Sequence, residues 1–115
     1  MLEHYVLFAP QEGKAEELES ALIRFSEGIS TGCGSLVDIS WGPNFNPSGL
    51  GRGFSYGCLA RLSGDTLDEY WNHPAHQQLL SELDALCRER FAMDYLRADS
   101  AGTHATPIET TRSSS

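Results

Sequence analysis

The chain has 115 residues, 40% of them apolar, with a net charge of −8 and a pI near 4.8. That length suits one domain around one core. The acidic balance argues against a nucleic-acid surface or an anionic membrane surface, both of which want clustered Lys and Arg. No apolar run approaches the roughly 20 residues that cross a bilayer. Met1–His4 lacks the basic start and apolar centre of a signal peptide. Cys33, Cys58 and Cys87 form no CxxC or zinc spacing, so reduced thiols in a cytoplasmic protein are the expectation.

His4–Ala9 (HYVLFA) reads as the first strand, with His4, Val6 and Phe8 on one face and Tyr5, Leu7 and Ala9 on the other. Both faces are largely apolar, which predicts cover on both sides. After the turn at Pro10–Gly13, Lys14–Ile29 carries Leu18, Ala21, Leu22, Phe25 and Ile29 at helical spacing, and glycines at 28, 32 and 34 end it. Ser35–Gly42 is a second strand, with Val37, Ile39 and Trp41 on one face. Pro43–Gly53 is a loop by composition, with no phosphate-binding pattern among its glycines. Phe54–Leu62 is a third strand that puts Phe54, Tyr56, Cys58, Ala60 and Leu62 on one face.

Asp65–His76 (DTLDEYWNHPAH) concentrates two of the four histidines, a tyrosine and a proline. Pro74 disfavours helical geometry at His73 and suits the first turn of a new helix. The reading is a short helix capped from Ser63–Thr66 and ending near Asn72, a corner at His73, and a second helix over Pro74–Arg90. Ala75, Leu79, Leu80, Leu83, Leu86 and Cys87 form the apolar stripe of that helix. Phe91–Leu96 is the last strand, in which Asp94 stands out. The domain is taken as residues 1–97, and 98–115 as a disordered polar tail.

The order β-α-β-β-α-β predicts an α+β, ferredoxin-like fold: a four-stranded antiparallel sheet with helices on one face. The other face, with Tyr5 and Leu7, needs cover. A second copy of the chain is the economical answer and gives a homodimer.

HYVLF at His4–Phe8, VDISWGPN at Val37–Asn44, GFSYG at Gly53–Gly57, EYWNHPAH at Glu69–His76 and MDYL at Met93–Leu96 together span about residues 3–97. On these pieces the chain resembles the stress-responsive A/B barrel family, the dimeric α/β-barrel proteins. Within it, the resemblance extends to polyketide cyclases of the olivetolic acid cyclase type. The resemblance implies a protomer paired into a barrel and a cofactor-independent aldol closure of a poly-β-keto thioester supplied by a polyketide synthase. It implies Tyr70 and His76 as working residues, His4 beside them, and Asp94 as the carboxylate that steadies His76. It also implies Val6, Phe8, Leu22 and Ile23 as the lining of an acyl pocket. Tyr56, which stands where those cyclases carry a third-strand histidine, and Trp71 are added to the substrate-binding set.

The chemistry suits these residue types. A neutral imidazole can take a proton from carbon, and a phenol can stabilise an oxyanion. His4, His73 and His76 are acceptable metal ligand types, but nothing supplies the rigid support such a site wants, and no metal is expected. His73 is read as a corner residue. The competing reading is a non-catalytic dimeric stress protein that binds a small apolar ligand in the same cavity, with Tyr70, His76 and Asp94 as structural groups.

Overall fold

The computed structural model describes residues 1–98, so all of the expected polar tail after Ala98 lies outside the described residues. The elements are β1 (Leu2–Pro10), α1 (Ala15–Ile29), β2 (Leu36–Pro43), β3 (Tyr56–Leu62), α2 (Asp68–Asn72), α3 (Pro74–Leu86) and β4 (Cys87–Leu96). The strands form one antiparallel sheet in the order β2-β3-β1-β4. This is the ferredoxin-like arrangement expected from the element order.

The apolar stripe of α1 is Leu18, Ala21, Leu22, Phe25 and Ile29, all buried. Glu16 and Glu17 lie in its first turn, where the helix dipole favours negative charge. α3 buries His76, Leu79, Leu83 and Leu86. From the sheet, Phe8, Cys58, Ala60 and Leu62 join the same core. Fully enclosed side chains such as Phe8, Leu18, Leu22, Ile29 and Leu62 each contribute about 1.5–3 kcal/mol through burial. The two long helices approach closely at Gly28. A Cβ built there would stand 3.0 Å from the Ala75 Cβ, so the missing side chain sets their spacing.

Several boundaries differ from the sequence reading: β1 runs Leu2–Pro10 rather than His4–Ala9, and α1 and β2 shift by a single residue. α3 stops at Leu86 rather than Arg90, and β4 begins at Cys87 rather than Phe91. Cys87 takes extended geometry (φ −119°, ψ 139°), and Cys87, Glu89 and Arg90 pair with Pro10, Ala9 and Phe8 of β1. Sheet pairing thus outweighs the favourable helix propensity of Arg-Glu-Arg. β3 begins at Tyr56, because Phe54 closes a turn onto the Gly51 carbonyl. In β2 the register shifts between Leu36 and Asp38, so Val37 sits in an irregularity. Leu36, not Val37, joins Ile39 and Trp41 against the core, and Val37 is 51% exposed.

No helix among the described residues lies over the other face of the sheet. Phe91, Met93 and Tyr95 are exposed there, with Tyr5 stacked on Tyr95 at 6.0 Å. Gly42, Gly57, Leu7 and Phe91 fall in one cross-strand row through all four strands. The two glycines leave a trough in this face.

Candidate active site

The β1–β4 register puts Asp94 directly opposite His4. Cross-strand neighbours on one face meet directly, and His4 Nδ1 donates to Asp94 Oδ1 at 2.5 Å. His4 is buried, whereas the Asp94 side chain is 40% exposed. A carboxylate only accepts, so the proton belongs on Nδ1 and the lone pair on Nε2.

Tyr70 comes from α2 and is buried against the same histidine. Its ring meets His4 edge-on at 5.3 Å and Phe25 of α1 at 5.9 Å. Burial foremost holds its phenol far above the ordinary value, so Tyr70 is a proton donor and not a ready phenolate. Cys58 and Cys33 act on it in the same direction. Burial also pushes the Cys58 thiol up to about 12, which keeps it protonated.

The chain turns at His73, whose φ −64° and ψ 139° are the extended geometry that a following proline favours. His73 Nδ1 accepts from the Ala75 N–H, and its Nε2 donates to the Thr31 carbonyl at 2.6 Å. Both nitrogens are therefore engaged in closing the corner, and His73 does not join the other two histidines. The N-cap of α2 is Leu67, which offers no side-chain cap, so the expected cap from Ser63–Thr66 is not made at that position; one residue earlier, Thr66 Oγ1 accepts from the Asp68 N–H at 3.3 Å. Glu69 helps seat α2 by accepting from the Gly34 and Ser35 N–H groups, and these bonds hold its carboxyl below the usual range.

His76 then falls in the first turn of α3. Its ring lies 5.0 Å from Tyr70, 4.8 Å from Trp71 and 6.0 Å from Phe25. Its Nδ1 donates to the Trp71 carbonyl at 3.1 Å. That carbonyl lies at the end of a short helix, where no intrahelical N–H reaches it. Burial lowers the His76 pKa below the ordinary imidazole value, against the smaller effect of this hydrogen bond.

The expected pairing of Asp94 with His76 is thus corrected. Asp94 serves His4, which is its strand neighbour, and a local backbone carbonyl serves His76. The structure does bring His4, Tyr70, His76 and Asp94 together. Trp71 joins them, its ring against His76 although 45% exposed.

The remaining substrate-binding residues divide. Phe8 and Leu22 are sealed in the core, Val6 is half-buried, and Ile23 is 44% exposed. Leu22 and Ile23 are consecutive on a helix and point about 100° apart, one into the core and the other towards solvent. Tyr56 pairs with Phe8 and lies four residues along β3 from the Ala60 that pairs with His4, a separation of roughly 13 Å. Its hydroxyl donates to the Glu19 carboxylate, which raises its pKa to about 12. Tyr56 instead lines a cleft of about 610 Å³ beneath the 43–55 loop, with Leu7, Phe91, Gly42 and Gly57 as floor and Leu50 and Arg52 on the loop side.

Two contacts are not anticipated by the sequence reading: Phe25 against Tyr70 and His76 in the site, and Glu19 against Tyr56 outside it. Phe25 was assigned to the core stripe by its spacing, and that it also packs against Tyr70 and His76 is a consequence of helix placement. Nothing in the sequence singles out Glu19 among its acidic neighbours.

The sequence profile described as Stress responsive A/B Barrel Domain matches residues 2–96. The chain belongs to this family. No curated protein sequence matches it. Among solved structures, this member is similar to a dimeric ferredoxin-like protein of unknown function from Jannaschia sp. CCS1, at 26% identity and TM-score 0.75, over 84% of this chain and 98% of that one. It is also similar to an Arabidopsis thaliana protein at 17% identity and TM-score 0.74, over 86% and 97%. A hydroxynitrile lyase from Passiflora edulis shares the fold at 12% identity and TM-score 0.70, over 86% and 94%.

Proposed function

We propose that this stress-responsive A/B barrel protein is a small cofactor-independent enzyme that closes a ring in a poly-β-keto thioester by acid–base aldol chemistry. The observation that carries this reading is the buried group of Tyr70, His4 and His76. Each of the two histidines has an acceptor at Nδ1, which leaves both Nε2 atoms free of tautomer ambiguity. A phenol kept protonated by burial beside two imidazoles supplies an acid and a base in one place. The hydroxynitrile lyase supports the reading only by being an enzyme on the same fold.

The working form in this proposal is a homodimer through the open sheet face, as the Jannaschia protein is described as dimeric. Three free, buried cysteines fit a reducing, cytoplasmic setting, and no helix among the described residues is long and apolar enough to cross a membrane. A polyketide synthase would supply the substrate.

One observation favours a second reading, a dimeric protein that binds a small apolar molecule without turnover. A cleft of about 610 Å³ with an apolar floor lies under the 43–55 loop, away from Tyr70 and the histidines. Co-expression with polyketide synthases, comparing products with and without this protein, separates the two. A new cyclised product that Tyr70→Phe reduces by about 100-fold or more supports the enzyme. Unchanged products across synthases, with ligand-dependent stabilisation that Tyr70→Phe leaves intact, support the binder.

A further inference from the structure

We propose that His4, oriented by Asp94, is the base of this site, and that Tyr70 is the acid that completes its proton circuit. The assignment rests on the acid–base reading above and reverses the roles that the family resemblance implies for the two histidines.

The two histidines differ in what each would face once protonated. The His4 Nδ1–H already donates to a carboxylate at 2.5 Å. When Nε2 takes a proton, the imidazolium forms beside a full negative charge. That is the arrangement by which an aspartate orients a catalytic histidine and stabilises its charged form. His76 has only the Trp71 carbonyl at Nδ1, a dipole and not a charge. It is buried, and His4 lies close enough to add like charge. Among the described residues, the ionisable groups around His4 and Tyr70 are Asp94 from β4, His76 from α3, Cys58 from β3 and Cys33 after α1. From α1, Phe25 packs on Tyr70 and contributes no charge. His76 is therefore suited to remain neutral and hydrogen-bond, while His4 is suited to carry a proton through the cycle.

The step balances within the chain's own groups. His4 Nε2 takes the proton from a carbon between two carbonyls, and the C–H electron pair becomes an enolate. The enolate carbon attacks a distant ketone of the same substrate, forming the C–C bond and moving the C=O π pair onto oxygen. That alkoxide takes the Tyr70 proton. The His4 imidazolium, in edge contact with the Tyr70 ring, returns its proton to the phenolate. No proton is gained or lost overall, and no electron acceptor is required. His4 and Tyr70 are catalytic residues in this scheme, and Asp94 is a positioning residue.

The test separates the proton-abstraction step from the unknown natural substrate. The probe is S-acetoacetyl-N-acetylcysteamine, a β-keto thioester whose methylene exchanges with D₂O and is followed by NMR above the buffer rate. His4→Gln should reduce enzyme-dependent exchange by about 100-fold or more, and His76→Gln by less than about tenfold. Asp94→Asn, at a half-exposed side chain, should cut exchange by about tenfold or more with little change in KM. It should also move the Nδ1 proton resonance of His4 upfield, because a neutral amide replaces the carboxylate acceptor. If His4→Gln does not fold, Asp94→Asn decides, because unchanged exchange in that variant overturns the proposal. Loss in His76→Gln with retention in His4→Gln, or equal loss in both, overturns the assignment to His4 and leaves the acid–base reading standing. No exchange above buffer by the unaltered protein sinks that reading and this proposal with it.

Discussion

His73 should matter to stability and not to chemistry, and its two hydrogen bonds give the size of the effect. His73→Ala removes the acceptor for the Ala75 N–H at the start of α3, a capping loss of about 1 kcal/mol. It also removes the donor to the Thr31 carbonyl, which ties the end of α1 to the corner and is worth about another 1 kcal/mol. The sum is about 2 kcal/mol, or a fall in melting temperature of roughly 8–16 °C for a domain of this size. His73→Asn restores a capping oxygen without reaching Thr31, so it should recover about half of the loss. Urea unfolding followed by circular dichroism on both variants, with m values compared, measures this directly. A loss below about 0.5 kcal/mol in His73→Ala, or equal losses in the two variants, would refute the account of the corner as a capped hinge.

Other predictions follow from packing and titration. Gly28→Leu should cost about 1–3 kcal/mol, because its Cβ meets the Ala75 Cβ at 3.0 Å; Ala75→Gly in the same chain should recover part of that loss, and additive losses would show that the helices do not meet there. Because the folded His76 resists protonation, the unfolded chain binds more protons as pH falls through the ordinary imidazole range near 6.5. Stability should therefore decline from pH 7 towards pH 5, and His76→Gln should flatten that slope in parallel melts; an unchanged slope would contradict the depressed value. At micromolar concentration, light scattering should give twice the chain mass of 12.6 kDa, and Phe91→Asp on the open sheet face should lower it, whereas a monomer from the unaltered chain would argue against a face-to-face dimer.

Periodicity by itself determined most of the architecture. Leu18, Ala21, Leu22, Phe25 and Ile29 can share a side only in a helix, and the alternation in Tyr56–Leu62 suits only a strand. The corner was equally legible, because Pro74 restricts the backbone of His73 whatever surrounds it. Contacts between distant residues were decided by the tertiary structure. The end of α3 moved because Cys87–Arg90 gain more from pairing with β1 than from another helical turn. Val37 left the core because a register irregularity, invisible to a period-two count, reversed the faces ahead of it. The composition of the corner singled out Tyr70 and His76, but only strand register could show which histidine faces Asp94. A one-residue slip would send His4 to the opposite face of the sheet, and hydrogen-bonding geometry, not residue type, chose the partner.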